Sequence, residues 1–425
     1  MKKIRLLLGG SPCTYWSISQ KNNRETEPEG LGWELFKNFL IAKEKFKPDY
    51  FLYENNKSMA KPIRNQIDIE FNRTYAENTN WELVSTVEEG KGNTKRWLWR
   101  NKTTGKTEYI TRILINSALV SAQNRQRYYW TNIPDVPQPA DRGILLKDIL
   151  ESGTDLSQNE KGYALTTRCQ GAIPEDTIQK HRHSMVAEPI RIGDSGSNSQ
   201  GDRVYSPYGK SITLCGNGGG KGAKTGLYAC PIGTTKDGKS FALTAYYSTG
   251  QNPEHTLKKS LGTMVAESWD GKTYPIYEVK NGLITIKDKQ YPIKLPDGYY
   301  IIRKLTVLEC CRLQTFPDNY FVKADGVPLV SNSQAYKQLG NSWTVEVIKH
   351  LLSYIPNLKD CDVRVLGMYD GISAGQLVLR ELGANIVTYK AYEIDKYCLI
   401  TTQYHFPNTI QCGDAFQVRN DEWRF

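Results

Sequence analysis

Lys2-Lys3-Ile4-Arg5-Leu6-Leu7-Leu8-Gly9-Gly10-Ser11-Pro12-Cys13 opens the chain, and its reading decides the fold. Ile4 to Leu8 is an apolar run of the length of one buried strand. The two glycines behind it permit a tight turn and the close approach of another group, and a cysteine follows at the strand's carboxyl end. That is the edge at which open α/β sheets place their chemistry. The run also begins like a secretory leader, but it is too short and ends in Gly-Gly-Ser-Pro-Cys, so a strand is the better reading. Working outward, Trp33, Leu35, Phe36, Phe39, Leu40 and Phe46 recur at helical spacing, and Tyr50–Tyr53 is a second apolar strand. Strand, helix and strand at this spacing predict βαβ units in a parallel sheet. Residues 74–112 read as a hairpin excursion carrying Trp97, Trp99 and Tyr109, with Lys102-Thr103-Thr104-Gly105-Lys106 as its turn.

With 425 residues the chain has room for two or three domains, and 39% hydrophobic with 24% charged residues is an ordinary globular balance. Its nine cysteines include no Cys-x-x-Cys pair and do not cluster with the five histidines. That argues against a zinc site or a disulfide framework and fits a reducing cytoplasm. No stretch is long and apolar enough to span a membrane. The net charge of +10 is uneven: Lys and Arg exceed Asp and Glu by seven over residues 1–150, by three over 151–300 and by none over 301–425. A basic first part and a neutral last part suit a polyanion on one side and a neutral or cationic small ligand on the other; a solvated basic surface gives the same counts.

Residues 135–302 are rich in Gly, Ser, Thr and Tyr, poor in helical period, and internally repetitive. Lys161-Gly162-Tyr163-Ala164-Leu165-Thr166 recurs as Lys239-Ser240-Phe241-Ala242-Leu243-Thr244, and His183-Ser184-Met185-Val186-Ala187-Glu188 as Gly262-Thr263-Met264-Val265-Ala266-Glu267. A separate β-rich domain is expected there. Gly216 to Gly222 lacks the helix and the Ser/Thr of a phosphate cradle and reads as a loop. Helical periodicity returns after 303, through Leu305, Leu308 and Leu313 and again through Val345, Val347, Ile348, Leu351 and Leu352. A linker at Ser353–Asn357 precedes a fresh strand, Val363–Met368. Asp370-Gly371-Ile372-Ser373-Ala374-Gly375 then leads into a helix, and Glu393 closes the next strand. Backbone N–H groups at such a helix start face a ligand, with the acid placed for ribose hydroxyls. No Lys-Ser/Thr follows, so a nucleotide-like cofactor without phosphates is favoured.

Together these segments resemble a DNA (cytosine-5)-methyltransferase over nearly everything outside 135–302. Gly9-Gly10-Ser11-Pro12-Cys13 is similar to the nucleophile motif, Glu54-Asn55 to the Glu-Asn-Val motif, and Gln123-Asn124-Arg125-Gln126-Arg127 to the Gln-x-Arg-x-Arg motif. Arg303-Lys304-Leu305-Thr306 through Glu309 to Arg312-Leu313-Gln314-Thr315-Phe316-Pro317 resembles the motif behind the target-recognition region. Gly340-Asn341-Ser342 begins the last motif helix, and Asp370 to Gly375, Glu393 and Gly413-Asp414 resemble the cofactor motifs. In the common order the cofactor motifs come first; here they are last, so the chain resembles a circularly permuted member. Asn56 and Thr14 stand where valine and glutamine are frequent, and neither exchange removes a group that does chemistry.

The resemblance implies a Rossmann-like α/β S-adenosylmethionine-dependent methyltransferase sheet in two parts, 1–134 and 303–425, around a β-rich target-recognition domain at 135–302. It implies Cys13 as nucleophile, Glu54 as proton or hydrogen-bond donor to ring N3, Arg127 at the cytosine O2 and Arg125 holding Glu54 or the base. S-adenosyl-L-methionine would lie on Tyr369, Asp370, Gly371, Ile372 and Gly375. Glu393 would take its ribose and Asp414 the adenine amino group, with the adenine between Tyr369 and Ile394 and with Asn341 and Ser342 closing over the methionine end. No metal is implied. The partner is double-stranded DNA, with a cognate restriction endonuclease where one exists, and the enzyme is expected to act as a monomer in the cytoplasm. Residues 14–32 would form a mobile loop over a flipped base, and Arg168, His181, Arg182, His183, Lys221 and Lys224 are candidate DNA contacts. An RNA cytosine-5 methyltransferase and a catalytically silent regulator of the same fold are the alternatives. A nicotinamide-dependent oxidoreductase would share only the glycine turn.

Overall fold

The computed structural model describes residues 2–17, 24–90, 92–149 and 306–423. Between these it describes 191–194, 203–205, 227–231, 265–267, 273–286, 289–292 and 298–303. Two compact units emerge. The first is Met1–Val120, Arg125–Arg142 and Gln314–Phe425; the second is Ser121–Asn124 and Gly143–Leu313.

In chain order the strands of the first unit begin with β1 (Lys2–Gly9), β2 (Tyr50–Asn56), β3 (Trp81–Glu89), β4 (Thr94–Asn101), β5 (Thr107–Asn116) and β6 (Gln126–Thr131). The second unit holds β7 to β14: Arg191–Asp194, Arg203–Tyr205, Leu227–Pro231, Val265–Glu267, Thr273–Lys280, Leu283–Ile286, Lys289–Pro292 and Gly298–Arg303. The first unit resumes with β15 (Cys361–Met368), β16 (Asn385–Tyr392) and β17 (Ile410–Gly413). Its nine strands form one sheet in the order β17-β16-β15-β1-β2-β6-β5-β4-β3.

The sheet is mixed, which corrects the expectation of a parallel one. β17 to β2 run parallel, but β6 is antiparallel to β2, and β5, β4 and β3 follow as an antiparallel meander. The reason lies in the connections. Parallel neighbours need a long crossover, whereas the tight turn through Gly105, at φ +70, can only fold β4 back beside β5. A helix before the meander, α2 (Lys61–Ala76), escaped the sequence reading, although Ile63, Ile67 and Phe71 are all fully buried on one of its faces.

β1 and β15 are covered on both faces, so Leu6, Leu7, Leu8, Val363, Val365 and Leu366 are all buried. Helix α1 (Gly30–Phe46) lays Trp33, Phe36, Phe39, Ala42 and Phe46 on the sheet. There Phe36, Phe39, Phe51 and Tyr53 surround Phe71, whose ring stacks on Phe51 at 4.9 Å. Phe71→Ala would empty that centre at a cost of about 3–5 kcal/mol. Because α1 starts at Gly30, the Gly30-Leu31-Gly32 end of the loop expected over 14–32 is its first turn. Trp16 is wholly buried and donates to Glu25 at 3.0 Å, and the Glu25 N–H donates to the Tyr15 carbonyl at 2.8 Å. The described ends of that segment are therefore pinned to each other; residues 18–23 lie outside the description.

The second unit carries a sheet in the order β13-β12-β11-β14-β9-β8-β7, with β10 beside β11, and ends in α3 (Val307–Leu313). Strand β10 is the Val265-Ala266-Glu267 end of one repeat copy. The remaining repeat copies, the Gly216–Gly222 segment and the six candidate DNA contacts lie outside the described residues.

Register matters most for the site. Gly9 pairs with Met368 on one side and Tyr53 on the other, and Met368 pairs with Tyr392. The carboxyl ends of β2, β1, β15 and β16 thus finish level. The helices α4 (Asn332–Asn341), α5 (Val345–Leu352), α6 (Ala374–Glu381) and α7 (Lys396–His405) complete the unit.

Candidate active site

Two corners form along this edge. The first is built from β1, β2 and β6. Leaving β1, the chain turns through Gly10 and Ser11, and Cys13 opens a short 3₁₀ turn ending at Tyr15. Ser11 is buried, with its hydroxyl 2.6 Å from the Tyr53 phenol. The Asn55 amide donates to the Ser11 carbonyl at 3.2 Å. Gly10 has no side chain for a reason of space. A Cβ there would stand 2.9 Å from both the carbonyl and Oε2 of Glu54, closer than real contacts allow. The turn leading to Cys13 therefore lies directly against Glu54.

Glu54 is held through both carboxylate oxygens. Arg127 Nε pairs with Oε1 at 2.9 Å, and the Trp343 indole donates to Oε2 at 3.3 Å. Arg127 reaches it from β6, opposite Asn56. Of the two arginines, Arg127 and not Arg125 grips the glutamate here. Arg125 lies just before β6, outside the register that sets Arg127 beside β2. Arg125 is buried and donates instead to the carbonyls of Gly340 at 3.2 Å and Ser342 at 2.9 Å. Gln314 adds a second clamp on that segment, donating to the carbonyls of Leu339 at 2.6 Å and Ser342 at 3.3 Å. Trp343 was missed in the sequence; its only signal was its place directly after Gly340-Asn341-Ser342.

The second corner is the loop from β15 to α6 with the end of β16. Tyr369, Gly371 and Ser373 all take left-handed backbone conformations, at φ +58, +59 and +56. Glu393 Oε2 accepts from the Gly371 N–H at 2.8 Å, while Oε1 accepts from Ile394 at 2.8 Å and Asp395 at 2.7 Å. Asp370 turns inward. Its carboxyl accepts from the Tyr389 phenol at 2.6 Å and from the Ser373 hydroxyl, and burial pushes it up to about 6. Ile372 is buried, its carbonyl accepting from Tyr320 at 2.7 Å. Asp370, Ile372 and Gly375 thus shape the loop from behind. Tyr369 is half-buried and tethered through its hydroxyl to the Leu35 carbonyl at 2.7 Å.

On the open side stand the Glu393 carboxylate, Asp414 and Ile394, whose apolar side chain is 71% exposed. A Cβ on Gly371 or Gly413 would meet nothing within 4 Å. This is a cradle with a glycine floor, a carboxylate edge and an uncovered aliphatic flank. Such a donor set fits a nucleoside carrying no phosphate, as in S-adenosylmethionine: acceptors for ribose and amino hydrogens, and an apolar flank for a base. Asn341 is exposed and Ser342 half-buried at the end of α4, which Lys337 ties to Asp395 at 2.7 Å.

Residues 1–357 match the family of C-5 cytosine-specific DNA methylases. The chain belongs to this family. This methylase is similar to the orphan methyltransferase M.SPRI of Bacillus phage SPR, with 26% identity over 418 residues that cover 83% of this chain and 82% of that protein. It is also similar to the type II methyltransferase M.HhaI of Haemophilus parahaemolyticus, at 24% identity over 357 residues, 81% of this chain and 74% of that one. The orphan methyltransferase M.SPBetaI of Bacillus phage SPbeta is 31% identical over 208 residues, 48% of this chain and 41% of its own. The family match ends four residues short of β15, so the second corner's strand, loop and helix lie beyond it. Among the described residues of the methylase, no helix is long and apolar enough to cross a membrane.

Proposed function

We propose that this methylase transfers a methyl group from S-adenosyl-L-methionine to C5 of a cytosine flipped out of duplex DNA, through a covalent bond between Cys13 and ring C6. One observation carries the reading. A glutamate held on both oxygens sits at the end of β2, in contact with the turn that delivers Cys13.

C5 of cytosine is a poor nucleophile while the ring is aromatic. Addition of the Cys13 thiolate to C6 sends an electron pair to N3, which takes a proton or a hydrogen bond from Glu54 and leaves C5 enamine-like. S-adenosyl-L-methionine, when bound, supplies a sulfonium methyl for such a carbon. Loss of the C5 proton to a base and expulsion of the thiolate then restore the ring and the enzyme. Arg127 keeps the Glu54 carboxylate aimed, and on this reading it would also take the base carbonyl. Glu393 and Asp414 would hold the ribose and adenine amino groups, and Ile394 would cover the adenine. Lifting the base from the stack costs roughly a few kcal/mol, repaid by contacts in the pocket.

We further read the chain as a circular permutation. In support, β15 lies parallel beside β1, with only residues 353–360 between α5 and β15. Trp423 packs on Phe46 at the end of α1, and Asp49, three residues beyond Phe46, accepts from the Arg5 N–H within β1. Residues 135–302 supply the sequence-reading domain on this view, and the relatives' names favour an orphan or restriction-linked role.

Incubation with duplex DNA containing 5-fluorocytosine and cofactor tests the reaction. A denaturation-stable protein–DNA adduct is expected, and Cys13→Ser should lose it. No adduct with the wild-type protein, or one formed on transfer RNA and not on DNA, ends the reading.

A further inference from the structure

The indole of Trp343 touches both corners. Its Nε1 donates to Glu54 Oε2 at 3.3 Å and stands 3.4 Å from where a Cβ on Gly10 would lie. Its far edge faces the cofactor corner, with Cζ3 3.7 Å from the Cβ position of Gly375 in the first turn of α6. Two glycines thus leave room for one ring between the Cys13 turn and the loop that follows β15. The ring does not choose its own place. The carbonyl of Ser342, the residue before it, takes hydrogen bonds from Arg125 and Gln314. Thr344, the residue after it, donates to Gln314 at 2.9 Å. Both flanks of Trp343 are therefore clamped by buried side chains, and its N–H is aimed by the backbone.

From this arrangement we propose that Trp343 is the positioning residue that sets Glu54 against the target base while its ring packs against the helix that supports the cofactor corner. The inference rests on the reaction assigned above. Arg127 alone fixes one oxygen and leaves the carboxylate free to pivot about that contact; the indole N–H removes the pivot. A hydrogen bond to a charged acceptor contributes about ten- to hundredfold, and the longer indole contact belongs at the low end of that range. Ring packing against Gly375 is a separate contribution that acts on the cofactor corner.

The two contributions separate in Trp343→Phe, which keeps a ring and loses the N–H, and Trp343→Val, which loses both. The readouts avoid full turnover. One is exchange of the cytosine C5 hydrogen with solvent from duplex DNA without cofactor. Addition of Cys13 and a proton at N3 lets C5 take up a solvent proton, and reversal releases the original hydrogen. The other is calorimetric affinity for S-adenosyl-L-methionine. Trp343→Phe should exchange about tenfold more slowly while binding cofactor within threefold of wild type. Trp343→Val should show the same exchange defect together with severalfold weaker cofactor binding. Exchange at the wild-type rate in Trp343→Phe overturns the proposal, as does a Phe variant that loses exchange and cofactor affinity in equal measure. A wild-type protein that neither exchanges nor forms the fluorocytosine adduct removes the parent reaction. One that does both, beside a fully competent Trp343→Phe, removes only the role of the indole.

Discussion

Glu54 and Glu393 end parallel strands of one sheet and are both glutamates in full use, yet they are held in opposite ways. Glu54 is gripped by side chains from segments 73 and 289 residues away, Arg127 and Trp343. Glu393 is gripped by backbone N–H groups, two of them from its own next residues and one from Gly371. The first geometry depends on three distant pieces of chain meeting. The second is closed once β15 and β16 pair. On the proposed reaction, a group that faces a changing ring is tuned through exchangeable side chains, whereas a cradle for one invariant ligand is served by backbone donors.

The contrast breaks most visibly at Glu54. On the proposed reaction, Glu54→Gln removes the donor to ring N3 and leaves Arg127 without its charge partner, and methyl incorporation into duplex DNA should fall about 10²- to 10⁴-fold. Arg127→Ala keeps the glutamate but frees one oxygen, so kcat should drop roughly ten- to hundredfold in the same assay. An Arg127→Ala enzyme at wild-type rate would show that side-chain grip is unnecessary there. In the backbone-held corner the sharper probe is Gly371→Ala. A Cβ in the left-handed conformation costs about 1–2 kcal/mol and enters the open cradle, so titration with S-adenosyl-L-methionine should show roughly five- to thirtyfold weaker binding.

The smallest effect concerns Asp370, which supports the cradle from behind. Burial raises its carboxyl to about 6, above its unfolded value, so the folded state holds the proton more tightly. Its contribution is therefore fully present below the unfolded pKa and is lost as pH rises through about 6. Urea midpoints of the wild type should decline between pH 4 and pH 7 by more than those of Asp370→Asn, by about 2 kcal/mol at most. Identical pH profiles for the two proteins would mean that Asp370 is already solvated.

Elements whose apolar period is undisturbed were legible: β1, the helix over Trp33 to Phe46, β2, and the strand before Asp370 with its helix. What was not legible has identifiable causes. The helix over Ile63, Ile67 and Phe71 is half polar and was passed over. The direction of β6 depends on how the meander of β3, β4 and β5 folds back, and β3 is solvent-facing along most of its length. At the site, the residue types stood in the motifs, but their partners did not. Arg125 and Arg127 are equivalent in spacing, and only the position of β6 against β2 decides which one meets Glu54.

The order of residues alone determined the family, because Gly-Gly-Ser-Pro-Cys, Glu-Asn, Gln-x-Arg-x-Arg and Gly-Asn-Ser are local patterns that chemistry demands in short stretches. Tertiary structure alone decided who touches whom across hundreds of residues: Trp343 on Glu54, Arg125 on the Ser342 carbonyl, Asp370 turned inward. Local pattern records what a segment can do, while a hydrogen bond a few ångströms long exists only after the sheet has brought its two ends to the same edge.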